Sequence, residues 1–236
     1  MANGKLYLIP VPLASDVNEA SYTPQTLAIL NEISEYIVEN EKTARKFLKE
    51  AHIKTPQREL ILHNFGKHTR EVFDMEKAFK NLWHGKNMGV LSEAGCPGVA
   101  DPGSEIVAYA HKKNIQVVPL VGPSSILLAL MASGFNGQNF AFTGYLPISK
   151  NERIKKIKSL EDKIYKENQT QIFMETPFRN NKLLDDLIKT CKKTTLLCIA
   201  SQLTSPEEYI YTQSIEAWQR LKPNLHKRPT LFLLYR

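Results

Sequence analysis

Residues 95–103, Gly-Cys-Pro-Gly-Val-Ala-Asp-Pro-Gly, place three glycines and two prolines in nine positions. No helix or strand continues through that density. Proline fixes φ and lacks a backbone donor, and glycine costs the most entropy to order. Ahead of it, the short apolar run at 88–91 reads as a buried strand. Behind it, residues 104–113 read as a helix. The chain therefore passes strand, loop, helix here, the unit from which open α/β sheets are built. Such sheets hold ligands against the loops leaving the carboxyl ends of their strands, and glycine lets a ligand approach the main chain. A tight turn with acidic residues capping the helix would account for the same residues without a ligand.

The same alternation extends in both directions. Residues 6–9 form an apolar strand ended by Pro10 and Pro12. Thr23-Pro24 opens a helix, with proline at its first position, and Leu27, Leu30, Ile33 and Ile37 continue at helical spacing. A basic helix follows at 43–51, a strand at 59–63, and a helix at 71–83 with Val72, Met75, Phe79 and Leu82 on one side. Another strand lies at 115–120. Strand–helix alternation over these residues predicts a mainly parallel sheet covered on both faces.

After Val121-Gly122-Pro123-Ser124-Ser125 comes an apolar helix, 126–132, closed by Gly134 and expected to be buried. Its N-terminus offers two hydroxyls and free N–H groups, which suit a polar ligand or simple N-capping by Ser124. Strands are expected at 140–145, 170–175, 195–201, 208–212 and 230–235, with helices at 151–167, from after Arg179 to about 189, and at 215–221. The second half thus reads as a mixed sheet with helices. The expected architecture is two α/β domains, residues 1–119 and 120–236.

Net charge is +7, which permits a polyanionic partner without requiring one. The lysine-rich helix at 151–167 also carries the apolar stripe Ile154, Ile157, Leu160 and Ile164, so most of its lysines form a solvated face, with RNA contact as the alternative. The three cysteines, Cys96, Cys191 and Cys198, match no zinc or redox spacing and suit a reducing cytoplasm. Cys96 reads as a small loop residue rather than a nucleophile. The apolar start is short and broken by prolines, unlike a signal peptide, and no apolar run approaches the ~18–20 residues that span a bilayer. The six histidines are scattered and no metal site is expected. Neither G-x-G-x-x-G nor a G-K-[ST] loop occurs, which argues against nicotinamide dinucleotides and ATP hydrolysis.

Six segments in order resemble the tetrapyrrole methylase superfamily: Leu6 to Pro12, Glu93 to Gly103, Val118 to Ser125, Phe142 to Pro147, Ile172 to Arg179, and Ala200 to Glu208. Within it, the chain is most similar to the ribosomal RNA small-subunit methyltransferase I family, over nearly its whole length. The resemblance implies S-adenosylmethionine as methyl donor, bound between two α/β domains, a homodimer, and as acceptor the 2′-hydroxyl of a cytidine in small-subunit rRNA. It implies cofactor contacts at Pro12, Leu13, Gly95, Cys96, Val99, Ser124, Ser125, Met174, Ala200 and, on the last strand, near Thr230. Several loops depart from the family pattern. Pro-x-Gly-Asn is replaced by Pro12-Leu13-Ala14-Ser15, Ala-Glu-Asp-Thr-Arg by Val38-Glu39-Asn40-Glu41-Lys42, and Ser-Asp-Ala-Gly by Ser92-Glu93-Ala94-Gly95. Ala-Arg-Glu-Leu-Thr is replaced by Ala200-Ser201-Gln202-Leu203-Thr204.

A ribose hydroxyl must lose its proton as it attacks. Glu93 or Asp101 is the expected base or acceptor-orienting group, unless both only cap Gly/Pro turns. Two other functions remain open on these residues: methylation of a tetrapyrrole precursor, another RNA or a small molecule, and cofactor binding without catalysis.

Overall fold

The computed structural model describes residues 2–14 and 22–236. Ser15, the end of the first expected loop, lies outside the described residues. Contacts divide the chain into two compact units, Met1–Ser124 and Ser125–Arg236, a few residues beyond the boundary expected at 119/120.

The first unit contains β1 (Lys5–Ile9), α1 (Pro24–Glu32), β2 (Glu35–Val38), α2 (Glu41–Glu50), β3 (Ile61–Asn64), α3 (Met75–Trp83), β4 (Met88–Leu91), α4 (Gly103–Lys112) and β5 (Gln116–Pro119). Its five strands are all parallel, in the order β3-β2-β4-β1-β5. Successive side chains on a strand point to opposite faces, and two cores result. Tyr7, Ile9, Tyr36, Val38 and Leu91 pack with Leu30 of α1 and Phe47 and Leu48 of α2. Leu6, Ile37, Met88 and Val90 pack with Phe79 and Leu82 of α3 and Ile106 and Ala110 of α4.

Two expectations for this unit are corrected. The helix opened by Thr23 and Pro24 does form, and Thr23 caps it by accepting from the Thr26 N–H. It stops at Glu32, however, and residues 35–38 are strand β2, buried throughout. Ile33 and Ile37 fit a helical period, but a short apolar run with two β-branched residues packs equally well inside a parallel sheet, and periodicity alone does not separate the two. Likewise, residues 71–83 are not one helix. A short 3-10 turn at Arg70–Val72 precedes α3, whose cap is Asp74, and Val72 is 83% exposed rather than on the buried side.

The second unit contains α5 (Ser125–Ser133), β6 (Phe140–Tyr145), α6 (Lys150–Glu167), β7 (Thr170–Met174), α7 (Asn180–Thr190), β8 (Leu196–Ser201), β9 (Tyr209–Ser214), α8 (Ile215–Leu221) and β10 (Thr230–Tyr235). Its sheet runs β6-β7-β10-β8-β9. β6 and β7 are parallel and the other pairs antiparallel, so the sheet is mixed as expected. Phe173, Leu197, Ile199, Phe232 and Leu234 face α6, α7 and α8 in one core with Trp218. α5 covers the opposite face, where Thr212 Oγ1 donates to the Ser133 carbonyl. α5 is less buried than its composition predicts. Ala129 and Leu130 are covered, but Met131 is 79% exposed.

Candidate functional site

In the first unit, β1 and β4 lie side by side, and their crossovers leave on opposite faces, β1 through α1 and β4 through α4. The carboxyl ends of two such strands bound a crevice, the place where parallel sheets bind ligands. The loops there are tied to each other. Val11 and Gly95 form a two-way bridge, Val11 N–H to Gly95 O at 2.9 Å and Gly95 N–H to Val11 O at 2.8 Å. Ser92 Oγ, buried, donates to the same Gly95 carbonyl. Gly95 has φ +75°, and a Cβ on it would sit 3.3 Å from Leu13 Cδ2. A Cβ on Gly122 would come within 2.3 Å of Pro10, so the loops after β1 and β5 also touch main chain to side chain. Cys96 Sγ donates to the Pro123 carbonyl at 3.4 Å.

The structure thus gathers Pro12, Leu13, Gly95 and Cys96, with Ser124 following directly after Pro123. Val99 is 49% exposed on the far limb of the loop. Cys96 is partly buried, and burial, then the Asp101 charge, pushes its thiol pKa up. A nucleophilic cysteine needs the opposite shift.

Asp101 holds its own loop together. Its Oδ1 accepts from the N–H groups of Gly98 at 2.6 Å and Gly103 at 2.8 Å, the turn that starts α4. Glu93 is exposed, and its Oε1 accepts from Thr43 Oγ1 at 2.9 Å. A third carboxylate, Glu39, joins them. Its Oε1 accepts from the Glu93 N–H at 3.3 Å. Glu39 and Thr43 are not among the candidate site residues that the sequence points to. The available signal was the position of Glu39 after an apolar run, but that run reads as helix until β2 is seen to be a strand. Beside Glu39 and Pro102 an open groove of about 530 Å³ is lined by Lys67, Arg70, Glu71 and Glu105.

Burial raises the pKa of Glu39 above its ordinary value, and the charges of Asp101 and Glu93 add to it, against the opposing Glu93 N–H. A raised carboxyl pKa means that ionisation costs more in the folded chain than in the unfolded one. The contribution of Glu39 to stability is therefore whole below the ordinary glutamate pKa and is lost as pH rises through the folded value. Glu39→Gln is expected to raise the melting temperature at neutral pH, with the gain shrinking toward pH 4. Thermal melts across that range check it, and a gain that does not change with pH would reject the assignment.

In the second unit, Met174, Leu231 and Ala200 stand in register across β7, β10 and β8. By the two-residue period of a strand, all three face away from the Phe173–Phe232 core, toward the side that α5 covers. Ser125 opens α5 on that side. Thr230 points the other way. It is 6% exposed, and its hydroxyl is engaged by Ser201 Oγ at 3.0 Å and the Arg228 carbonyl at 2.9 Å. Leu231, not Thr230, therefore shares a face with Met174 and Ala200. In the loop after β8, Gln202 and Thr204 have φ of +52° and +67°. Their buried Gln202 Oε1 and Thr204 Oγ1 lack a hydrogen-bond partner.

Among the described residues, no group of three or more His, Cys, Asp or Glu is arranged to hold a metal ion, and no helix is long and apolar enough to cross a membrane.

Residues 5–218 match the family model described as Tetrapyrrole (Corrin/Porphyrin) Methylases. The chain is 30% identical over 213 residues to the ribosomal RNA small subunit methyltransferase I of Synechocystis sp., covering 90% of this chain and 72% of that protein. To the protein of the same name in Thermotoga maritima it is 29% identical over 224 residues, covering 93% and 94%. Among solved structures it is similar to the methyltransferase CobJ, with TM-score 0.65 and 20% identity over 99% of this chain and 94% of that one. It is also similar to uroporphyrin III C-methyl transferase from Thermus thermophilus, with TM-score 0.61 and 15% identity over 99% and 98%. At these identities the structural likeness shows the fold.

Proposed function

The chain belongs to the tetrapyrrole methylase family and is an S-adenosylmethionine-dependent methyltransferase, and from that premise we propose that its methyl acceptor is the 2′-hydroxyl of a ribose in small-subunit ribosomal RNA. The observation that carries the acceptor is the match to proteins named ribosomal RNA small subunit methyltransferase I at about 30% identity over most of the chain, against 20% and 15% for the two solved methyltransferases above. A homodimer and a cytoplasmic location belong to the same proposal.

The residues present fit the methyl donor. Buried polar atoms are normally paired, and the unpartnered Gln202 Oε1 and Thr204 Oγ1 are groups that a polar adenosine could satisfy. Pro12, Leu13, Gly95, Cys96, Val99 and Ser124 in the first unit and Ser125, Met174, Ala200 and the Thr230 main chain in the second are the proposed contacts. When bound, the donor supplies a methyl group on a sulfonium whose leaving group is a neutral thioether. The protein's work is then to align the acceptor oxygen, exclude water and take up the hydroxyl proton. Glu93 is proposed for that proton, since Thr43 engages Oε1 and leaves Oε2 to the acceptor. Asp101 is a proposed positioning residue that holds the Gly98–Gly103 turn.

Calorimetric titration with S-adenosylmethionine is expected to give micromolar or tighter binding at one site per chain. Labelled donor and unmodified small ribosomal subunits are then expected to give methylated RNA. A methyl on the 2′-oxygen blocks its attack on the neighbouring phosphate, so the product linkage resists alkali. Transfer to a porphyrinogen but not to ribosomal subunits would reject the acceptor.

A further inference from the structure

Phe178 and His226 are distant in sequence but meet at one edge of the second unit, their rings edge to face with centroids 5.7 Å apart. Phe178 is 68% exposed, and His226 is exposed beside it. A single exposed apolar ring is ordinary in itself; what sets this one apart is that it is paired with a second exposed ring on a separate segment.

The two segments that carry the rings are laced together. The Lys227 N–H donates to the Pro177 carbonyl at 3.0 Å. Asn180, fully buried, donates from Nδ2 to the Arg228 carbonyl at 2.7 Å. Asn181 Oδ1 accepts from the Leu225 N–H at 2.8 Å, and Asn181 Nδ2 reaches Asn224 Oδ1 at 3.0 Å. Glu175, on the same segment as Phe178, accepts from the Thr176 N–H and from Arg179. The rings are therefore held in place before any ligand arrives, which lowers the ordering cost of binding. Lys227 is exposed and Arg228 partly exposed, and neither forms an ion pair among the described residues. The edge is the one on which Met174 ends β7 and Thr230 begins β10.

We propose that Phe178 and His226 form a stacking platform for a base of the substrate RNA, with Lys227 and Arg228 placed to meet its phosphates. An exposed aromatic face flanked by cations is the chemistry that grips an unpaired nucleotide without reading its identity. This rests on the ribosomal RNA reading above. The two are separable in one experiment: steady-state methyl transfer to small ribosomal subunits by the full chain and by Phe178→Leu and Phe178→Trp. Leucine keeps an apolar side chain but removes the π-face; tryptophan keeps the π-face.

Phe178→Leu is expected to raise the KM for subunits by about 5- to 100-fold, the usual effect of losing one stacked base, with the KM for S-adenosylmethionine unchanged. Phe178→Trp is expected to stay close to wild type, and its added indole emission to be quenched by RNA. Wild-type transfer that Phe178→Leu leaves unaltered would overturn the platform and spare the acceptor. Absence of transfer by the wild type would overturn both. A change in sedimentation of Phe178→Leu without RNA would assign the ring to a contact between copies of the chain, and would also overturn the platform.

Discussion

Replacing Glu93 with glutamine is expected to lower kcat for methyl transfer by about 10²- to 10⁴-fold, the range for loss of a general base, with little change in S-adenosylmethionine affinity. Three carboxylates gather in the first unit, and their hydrogen bonds distinguish them. Asp101 spends Oδ1 on two main-chain N–H groups of its own turn. Glu39 is held by the Glu93 N–H and is driven toward its protonated form by burial and by its acidic neighbours. Glu93 alone is exposed, with its position set by Thr43 and its second oxygen directed to no protein donor among the described residues. Glutamine retains an oxygen for the Thr43 hydroxyl, so the substitution removes the basic group and little else. An interaction needed only in the transition state shows in kcat rather than KM. Asp101→Asn also keeps its acceptor oxygen and is expected to cost far less. Full turnover by Glu93→Gln would remove Glu93 from the mechanism.

A comparably large effect, on stability rather than rate, is expected in the second unit at Asp186. Arg153 of α6 is 2% exposed, and Asp186 of α7 is 6% exposed. Arg153 donates from Nε at 2.9 Å and Nη2 at 2.6 Å to Asp186 Oδ2, and from Nη1 to the carbonyls of Pro147 at 3.2 Å and Ile148 at 2.7 Å. The pair thus joins two helices and the loop after β6. Asp186→Ala leaves a guanidinium buried without its counter-charge, which costs about 3–5 kcal/mol. For a unit of this size that is a fall in melting temperature on the order of 10 °C. Replacing both partners with apolar residues of similar volume, Arg153→Met with Asp186→Leu, is expected to recover most of the loss, because no charge is then stranded. Thermal unfolding followed by circular dichroism reads both variants. A loss under about 1 kcal/mol for Asp186→Ala would place the pair with surface ion pairs in energetic terms.

The local chemistry of this chain was legible before its fold. The glycine and proline density at 95–103 determined a loop between strand and helix, because neither element continues through it; α4 begins only at its last residue, Gly103. Thr23-Pro24 determined a helix start, because a hydroxyl cap and a donor-free first position satisfy groups that every helix leaves open. The ordered motifs carried the family and its methyl donor. Tertiary structure decided what short apolar segments and separated polar residues became. Residues 35–38 are a strand only because β3 and β4 are there to pair with them, and Glu39 joins Glu93 only because that strand exists. Thr230 and Leu231 differ in direction through sheet register. Phe178 reaches His226 through hydrogen bonds between segments far apart in the chain. Periodicity and capping act within a few residues along the chain, so sequence determines them; register and side-chain meetings depend on partners that the chain supplies only once folded.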